Sequence, residues 1–422
     1  MSVVVISPSN VVTFPEGGGH FWVYMQYVQG LRQLGCEVYW LERFHSSGDR
    51  EQDKLMLSTF YQRMERYGLS GKVILYSDQK AISDRGSEYE YVGVWSSKAQ
   101  AIFRQADLLL NFYYGIHPAL LSCFRRTALI DIDPGLLQFW ITVGQLVVPP
   151  HDYYFSTGET VGTPSAKFSD CGLTWMRIRP PVCLELWPYV YNPNSEAFTT
   201  VSGWWGNGGK GEWITDGQDI CYENNKRVSF MQFVELPRLT DQVLELALCL
   251  GEGDVEDDQS RKEQSWQANN TVPSDVTDYK GDAEDREVLE SYGWRVGHAY
   301  KMASSPDRYQ SYIQMSRGEF SCAKPSCMKF QNAWISDRTL CYLASGKPVV
   351  VQHTGSSSFL PDGEGMFRFS TLSEAADALA TINTNYEKHC RAAREIAETY
   401  FEAKQTLNGI LNYALKFQRS ME

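Results

Sequence analysis

The chain has 422 residues, more than one ordinary hydrophobic core absorbs, so two domains of roughly 200 residues are expected. A formal net charge of −12 disfavours generic binding to a phosphate backbone, which needs a basic face. Ten scattered cysteines without a Cys-x-x-Cys pair argue against a structural zinc site, and no apolar run reaches the roughly 18 residues of a membrane span.

The opening MSVVVISPSN has no basic region and reads as a strand, not a signal peptide, so a cytoplasmic protein with reduced thiols is expected. VVVIS (3–7) is a continuous apolar run, as a strand buried on both faces requires. FPEGGGH (14–20) is a turn-forming loop. Trp22, Met25, Val28, Leu31 and Leu34 then recur near helical spacing over 21–34, Gly35 stands at the C-cap position, and CEVYWLE (36–42) is the next strand. This is a βαβ unit. The alternation continues with a strand at 72–77, an amphipathic helix at 96–106, and strands at 107–115, 127–135 and 152–159 that end in polar loops.

RPPVCLELWP (179–188) reads as a linker, and a second series follows it. A strand at 198–203 feeds the glycine-rich loop WWGNGGKGEW (204–213). RVSFMQFVEL (227–236) reads as a strand and LTDQVLELALCL (239–250) as a helix. Residues 251–286 hold 11 acidic against 4 basic residues without periodicity, and read as a surface excursion. Helices are expected at 285–293 and 305–316, an extended piece at 319–324, a helix at 370–382 and one long helix over 386–418. No solenoid-type repeat is present. The expected organisation is an N-terminal domain over 1–180, a C-terminal domain over 189–385 and a terminal helix over 386–422.

Three glycine-rich or polar loops fall where strand carboxyl ends gather. In SDRTLCYLASGKPVVVQHTG (336–355), Ser336 is an N-cap residue type, Leu340, Leu343 and Ala344 form a buried stripe, and Gly346 with Pro348 ends the helix. Ser336, Asp337, Arg338 and Thr339 therefore lie at a helix N-terminus, where free N–H groups and the dipole favour an anion. Arg338 adds a fork of donors suited to phosphate, or else pairs with a nearby carboxylate. His353, Thr354 and Gly355 leave the next strand at the same rim. In the first half, Gly18 and Gly19 permit close backbone approach, and His20 is a base or a structural histidine. The spacing is not the dinucleotide fingerprint. Lys210 reads as a phosphate ligand or a solvated lysine. Asp131 and Asp133 in DIDPG fall on one face of a strand by period two and are candidates for binding hydroxyls, or belong to a turn.

GGGHFWVYMQYVQGLRQLGCEVYWLE resembles the opening of two-lobed glycosyltransferases of the GT-B type, with Cys36 where a histidine is usual. CYLASGKPVVVQHTGSSSFLPDGEGMFRFSTLSEAADAL resembles their donor-side segment. The resemblance covers about half the chain. It implies an α/β fold of two Rossmann-like domains facing across a cleft, and transfer of a sugar from a nucleotide-diphosphate sugar to an acceptor hydroxyl. The last helix would cross back to the first lobe. The carboxylate that grips the nucleotide ribose in retaining members falls at Cys341, which leaves Asp337 or Glu319 to substitute. The family's phosphate-binding cations have candidates in Arg338 and in Lys324 or Lys210.

Such a reaction needs preorganised cations and N–H groups where charge grows on the departing diphosphate. With Arg and Lys supplying them, no metal or other cofactor is expected, and no DxD-like loop suited to a divalent cation is seen. Retention is the expected outcome; inversion would require a base, for which His20, Asp131 and Asp133 are the candidates. The expected partners are a nucleotide sugar and an acceptor of open class, a modified nucleic-acid base being disfavoured by the acidic charge. The rivals are a nucleotide-sugar 2-epimerase on the same build, a non-catalytic two-lobed scaffold, and an NAD(P)-dependent oxidoreductase, against which the missing fingerprint argues.

Overall fold

The computed structural model describes residues 1–77, 89–206, 211–249 and 281–416. In the first lobe the elements are β1 (Val3–Ser7), α1 (Gly18–Gln33), β2 (Glu37–Arg43), α2 (Arg50–Arg66), β3 (Val73–Ser77), β4 (Glu90–Val92), α3 (Ser96–Gln105), β5 (Leu108–Asn111), α4 (Pro118–Leu121), β6 (Thr127–Asp131), α5 (Leu136–Thr142), β7 (Tyr153–Ser156) and β8 (Trp175–Arg177). Their sheet runs β4-β3-β2-β1-β5-β6-β7-β8, parallel except for the antiparallel edge strand β4. The apolar run of β1 divides by face, as a strand covered on both sides must. Val4 and Ile6 pack with α1, while Val5 packs with Ile102 and Phe103 of α3.

The second lobe contains β9 (Ala197–Gly203), the small hairpin β10 (Trp213–Thr215) and β11 (Cys221–Glu223), α6 (Lys226–Met231), β12 (Val243–Cys249), α7 (Gly281–Ser291), β13 (Arg295–His298), α8 (Ala299–Ala303), α9 (Pro306–Met315), β14 (Gly318–Ser321), α10 (Pro325–Phe330), α11 (Asp337–Ala344), β15 (Val349–Gln352), β16 (Met366–Phe369) and α12 (Leu372–Thr384). The order β13-β12-β9-β14-β15-β16 is entirely parallel. Each lobe is a doubly wound, Rossmann-like unit.

Two expectations exchange places. Residues 227–236 open with the short helix α6 and continue into a turn at Leu236–Arg238, while 239–250 hold strand β12. Leu-Glu-Leu-Ala-Leu favours a helix locally, but Leu244, Leu246 and Leu248 alternate and enter one core beside Phe198 and Phe320. Pairing with β9 on one side and β13 on the other overrides the local preference. Most of the acidic stretch, and the loop residue Lys210, lie outside the described residues; the end of that stretch starts α7 at Gly281.

The long terminal helix is also broken. It comprises α13 (Tyr386–Ile396), a π turn at Ala397–Phe401 and α14 (Ala403–Lys416), with Glu402 extended at φ −58° and ψ 125°. The break has a partner. Val182 of the outgoing linker donates to the Phe401 carbonyl at 2.7 Å and accepts from the Ala403 amide at 3.0 Å. The two crossing segments thus run side by side. α13 packs on α11 of the second lobe and α14 on α1 of the first.

Candidate active site in the interlobe crevice

The strand order reverses between β1 and β5 in one sheet and between β9 and β14 in the other. In doubly wound sheets, ligands bind in the crevice outside the carboxyl ends at such points. The connections after β1, β9 and β14, with the turn that closes β6, carry most of the chemistry-bearing residues of this face.

On the second-lobe side stand three cations with different partners. Lys324, just past β14, is half-buried and bonds Glu212 at 2.5 Å. Burial opposes its charge, but Glu212 and Asp133 hold its pKa above the usual value. Arg338 is only 9% exposed and turned inward: Nε bonds the Glu319 carboxylate at 2.8 Å, Nη1 the Val201 carbonyl at 2.7 Å and Nη2 the Ser321 hydroxyl at 2.6 Å. Its fork is spent stitching α11 to β9 and β14, so it does not reach the helix rim where a phosphate would sit. Lys226, the first residue of α6, is the third. Its Nζ donates to the Cys322 carbonyl at 2.8 Å and lies 5.8 Å from the Trp334 ring centre. No carboxylate pairs with it among the described residues. Burial and the neighbouring Arg338 and Lys324 charges push its pKa down to about 7.

The rim of α11 differs from expectation in one respect: the Ser336 side chain makes no capping bond, although its backbone adopts cap geometry. Thr339 is buried at 1%. Thr354 donates through Oγ1 to the Trp334 carbonyl at 2.6 Å. Gly355, at φ +125°, lies so close to the 331–333 backbone that a Cβ would approach the Gln331 carbonyl oxygen to 2.5 Å. The His353–Gly355 loop is thereby clamped to the loop that leads into α11, and His353 accepts the Gly355 amide on Nδ1 at 3.4 Å.

On the first-lobe side the two aspartates part company. β6 ends at Asp131, so period two no longer governs residue 133. Asp131 is fully buried and accepts from Ser156 Oγ at 2.7 Å, Gln138 Nε2 at 2.8 Å and the Asp133 amide at 3.0 Å. Burial raises its pKa to about 6. It shapes the 131–135 turn from within. Asp133 is solvent-accessible, yet its pKa is raised by surrounding protein and lowered by Lys324 across the crevice. Facing it, half-buried Asp337 at the first turn of α11 has its pKa raised to about 7, first by burial and then by the Asp133 charge. Asp337 also lies within electrostatic reach of Tyr24 and Tyr27 on α1. The Tyr27 hydroxyl is buried with no hydrogen-bond partner. His20 is half-buried, and its Nε2 bonds the Ser9 carbonyl at 2.7 Å. A carbonyl only accepts, so Nε2 carries the proton; burial depresses the ring's pKa and keeps it neutral.

Gly18 and Gly19 approach protein, not open space. A Cβ at Gly18 would lie 2.5 Å from the carbonyl oxygens of both Ala303 and Ser305, and one at Gly19 would lie 2.8 Å from the Tyr309 ring. The Trp22 indole N–H bonds the Pro306 carbonyl at 2.9 Å beside them. The glycines let α1 dock on the α8–α9 turn of the opposite lobe. Across the crevice the lobes meet again. The Glu159 carboxylate accepts from Ser357 and Ser358, Asn332 donates to the Pro134 carbonyl, and Phe330 packs between Gly135 and Phe168. Gly18→Val is therefore expected to push the lobes apart at a cost of roughly 1–3 kcal/mol. The check is a lowered melting temperature together with a larger radius of gyration in solution scattering. Gly17→Ala is the control, since its nearest neighbour is the half-exposed, movable Phe14 ring.

The structure thus gathers Lys324, Asp133, Asp337 and the α11 rim, and sends Asp131 and Arg338 into the interior. The sequence reading missed Lys226, Glu212, Tyr24 and Tyr27. Lys226 follows two asparagines that end the β10–β11 hairpin, and taking 227 onward as a strand hid its place at a helix start. No family model matches the chain, and no curated protein matches it in sequence. Solved structures do match it in shape. Anabaena HepE in complex with UDP-glucose aligns at a TM-score of 0.55 and 10% identity, over 98% of this chain and 100% of that one. An α-glucosyltransferase in complex with UDP and a 13-mer DNA containing an HMU base aligns at 0.55 and 11%, over 98% and 99%. Sucrose-phosphate synthase from Thermosynechococcus elongatus aligns at 0.50 and 13%, over 99% and 100%. Along nearly its whole length, then, this chain has the two-lobed GT-B fold of these glycosyltransferases.

Proposed function

We propose that the chain is a glycosyltransferase that moves a sugar from a nucleotide-diphosphate sugar to an acceptor hydroxyl, with UDP-sugars the first donors to test. The observation that carries the reading is Lys226: an amine with no carboxylate partner among the described residues, at the carboxyl-end crevice of the second sheet, next to Lys324, which in turn faces Asp133. A half-buried amine with no carboxylate partner is costly to keep charged, and a diphosphate would relieve that cost there. The α11 N-terminus adds amide donors.

As the sugar–phosphate bond breaks, negative charge grows on the diphosphate. Lys226, Lys324 and the α11 amides are fixed in place before it appears, which is where electrostatic catalysis gains most. These cations make a divalent metal unnecessary, and with the diphosphate able to take the acceptor proton we assign the reaction to the retaining class. Cys341 is 3% exposed and faces Gln26 of α1, with Nε2–Sγ at 3.9 Å, so it does not contact a ribose. Glu319 is fully buried against Arg338. That leaves Asp337 as the carboxyl for donor hydroxyls. Asp133 and His20 line the acceptor side, and lobe contact excludes the water that would hydrolyse the donor. The described cleft carboxylates Asp133, Asp337 and Glu212 repel a polyanion, so a neutral hydroxylic acceptor fits better than DNA.

UDP, GDP, dTDP and ADP, each tested by thermal shift, decide the reading. One of them is expected to raise the melting temperature by several degrees at saturating concentration, with EDTA leaving the shift unchanged. No shift from any nucleotide would sink it, and a shift abolished by EDTA would overturn the metal-free part.

A further inference from the structure

Residue 42, next to the last in β2, is a glutamate with no solvent exposure. A carboxylate so placed is tolerated only with its oxygens satisfied. Glu42 Oε1 accepts from the Val11 amide at 2.5 Å and the Val12 amide at 3.0 Å, and Oε2 accepts from the Trp40 indole at 2.8 Å. Val11 and Val12 are themselves buried, and Asn10 before them sits at φ 58°, a conformation that side-chain-bearing residues seldom adopt. The carboxylate is what holds the β1–α1 loop in this shape. One residue further back, the Ser9 carbonyl accepts from His20 Nε2 at 2.7 Å, and a Ser9 backbone hydrogen bond acts to lower the Tyr24 pKa, as an amide donating to the phenol oxygen does. The His20 and Tyr24 rings meet edge to face at 5.2 Å. Glu42, the loop and the first turn of α1 therefore form one connected chain of hydrogen bonds ending at the crevice.

We propose that Glu42 is a positioning residue: by gripping the Val11 and Val12 amides it sets the Ser9 carbonyl, which fixes His20 in the Nε2–H form and leaves Nδ1 as the nitrogen that accepts a hydrogen bond from a substrate hydroxyl. The substrate end of this statement rests on the function proposed above; the tautomer does not.

Histidine ring nitrogen NMR on the full chain tests it, with the His20 signals assigned by their loss in His20→Gln. Wild type is expected to show a single Nε2–H form. Glu42→Leu is expected to show a mixture of both forms, and Glu42→Gln to restore most of the wild-type pattern, because its amide oxygen still accepts from Val11 and Val12. A role confined to stability would lower the melting temperature and leave the His20 nitrogens unmoved, and that result overturns the proposal. Should Glu42→Leu fail to fold, hydrogen exchange in wild type decides: Val11 and Val12 are expected among the slowest loop amides, and exchange at the unprotected rate overturns the proposal. UDP titrated into the same samples separates the two claims. If wild type binds no nucleotide while the tautomer responds to Glu42, the functional reading fails and the positioning role stands.

Discussion

Lys226→Met is expected to weaken UDP binding by about 10- to 100-fold, the worth of one charge-assisted hydrogen bond to a phosphate. Methionine keeps the apolar stem against Trp334 and removes the charge together with one hydrogen bond to the Cys322 carbonyl. Among the described residues no carboxylate depends on that charge in the free protein. The sign of the pH effect follows from the depressed pKa of about 7. Below it, Lys226 is charged in folded and unfolded chains alike, and the cost of its burial is fully present. As pH rises from there toward the ordinary lysine value, the unfolded chain holds more protons, so the free protein gains stability. A bound diphosphate reverses the preference by favouring the charged amine. UDP binding at pH 8 should therefore take up a proton, and affinity should fall as pH rises above about 7. Calorimetry in buffers of different ionisation enthalpy measures this uptake. Lys226→Met should abolish it and flatten the pH dependence. A mutant that binds UDP with the same affinity and proton uptake would remove Lys226 from the site.

The frame of this molecule was legible because buried parallel strands are written as apolar runs. VVVIS and VVV have no other stable place than a sheet covered on both sides, and each glycine or proline after a helix marks where the next strand begins. Where propensity and pairing disagreed, the sequence misled: Leu244–Leu248 form a strand with helix-forming residues, and the alternation of Leu244, Leu246 and Leu248 was the signal to weigh. The site was legible only in its loops. Asp133 and Asp337 can be placed at rims from local pattern, because rims follow from strand ends. Whether a side chain faces the crevice or the interior depends on partners far away in sequence. Arg338 turns inward because Glu319 and Ser321 lie beneath it on β14, and Gly18 faces Ala303 and Ser305, nearly 300 residues away. No local spacing encodes such pairings. Glu42 was invisible for the same reason, since a glutamate closing a strand reads as a solvated charge until the loop that covers it is in place.

Arg338→Ala carries the sharpest consequence of that inward turn. Removing the guanidinium strands Glu319, which has no exposure and whose Oε2 already has no partner. Breaking a buried ion pair from one side costs about 3–5 kcal/mol, most of it the penalty on the charge left behind. The variant should therefore unfold at markedly lower denaturant concentration. Arg338→Met combined with Glu319→Gln should recover most of the loss, because it removes both charges and keeps the volume. UDP should still raise the melting temperature of Arg338→Ala by nearly the wild-type increment, since Lys226, Lys324 and the α11 rim, the donors proposed to hold the phosphate, are intact. The opposite pattern, wild-type stability with the UDP increment gone, would mean that the guanidinium leaves Glu319 and swings to the phosphate when donor binds. The same pair of melts, with and without UDP, reads both terms in one experiment and assigns Arg338 either to the frame of the second lobe or to its ligand.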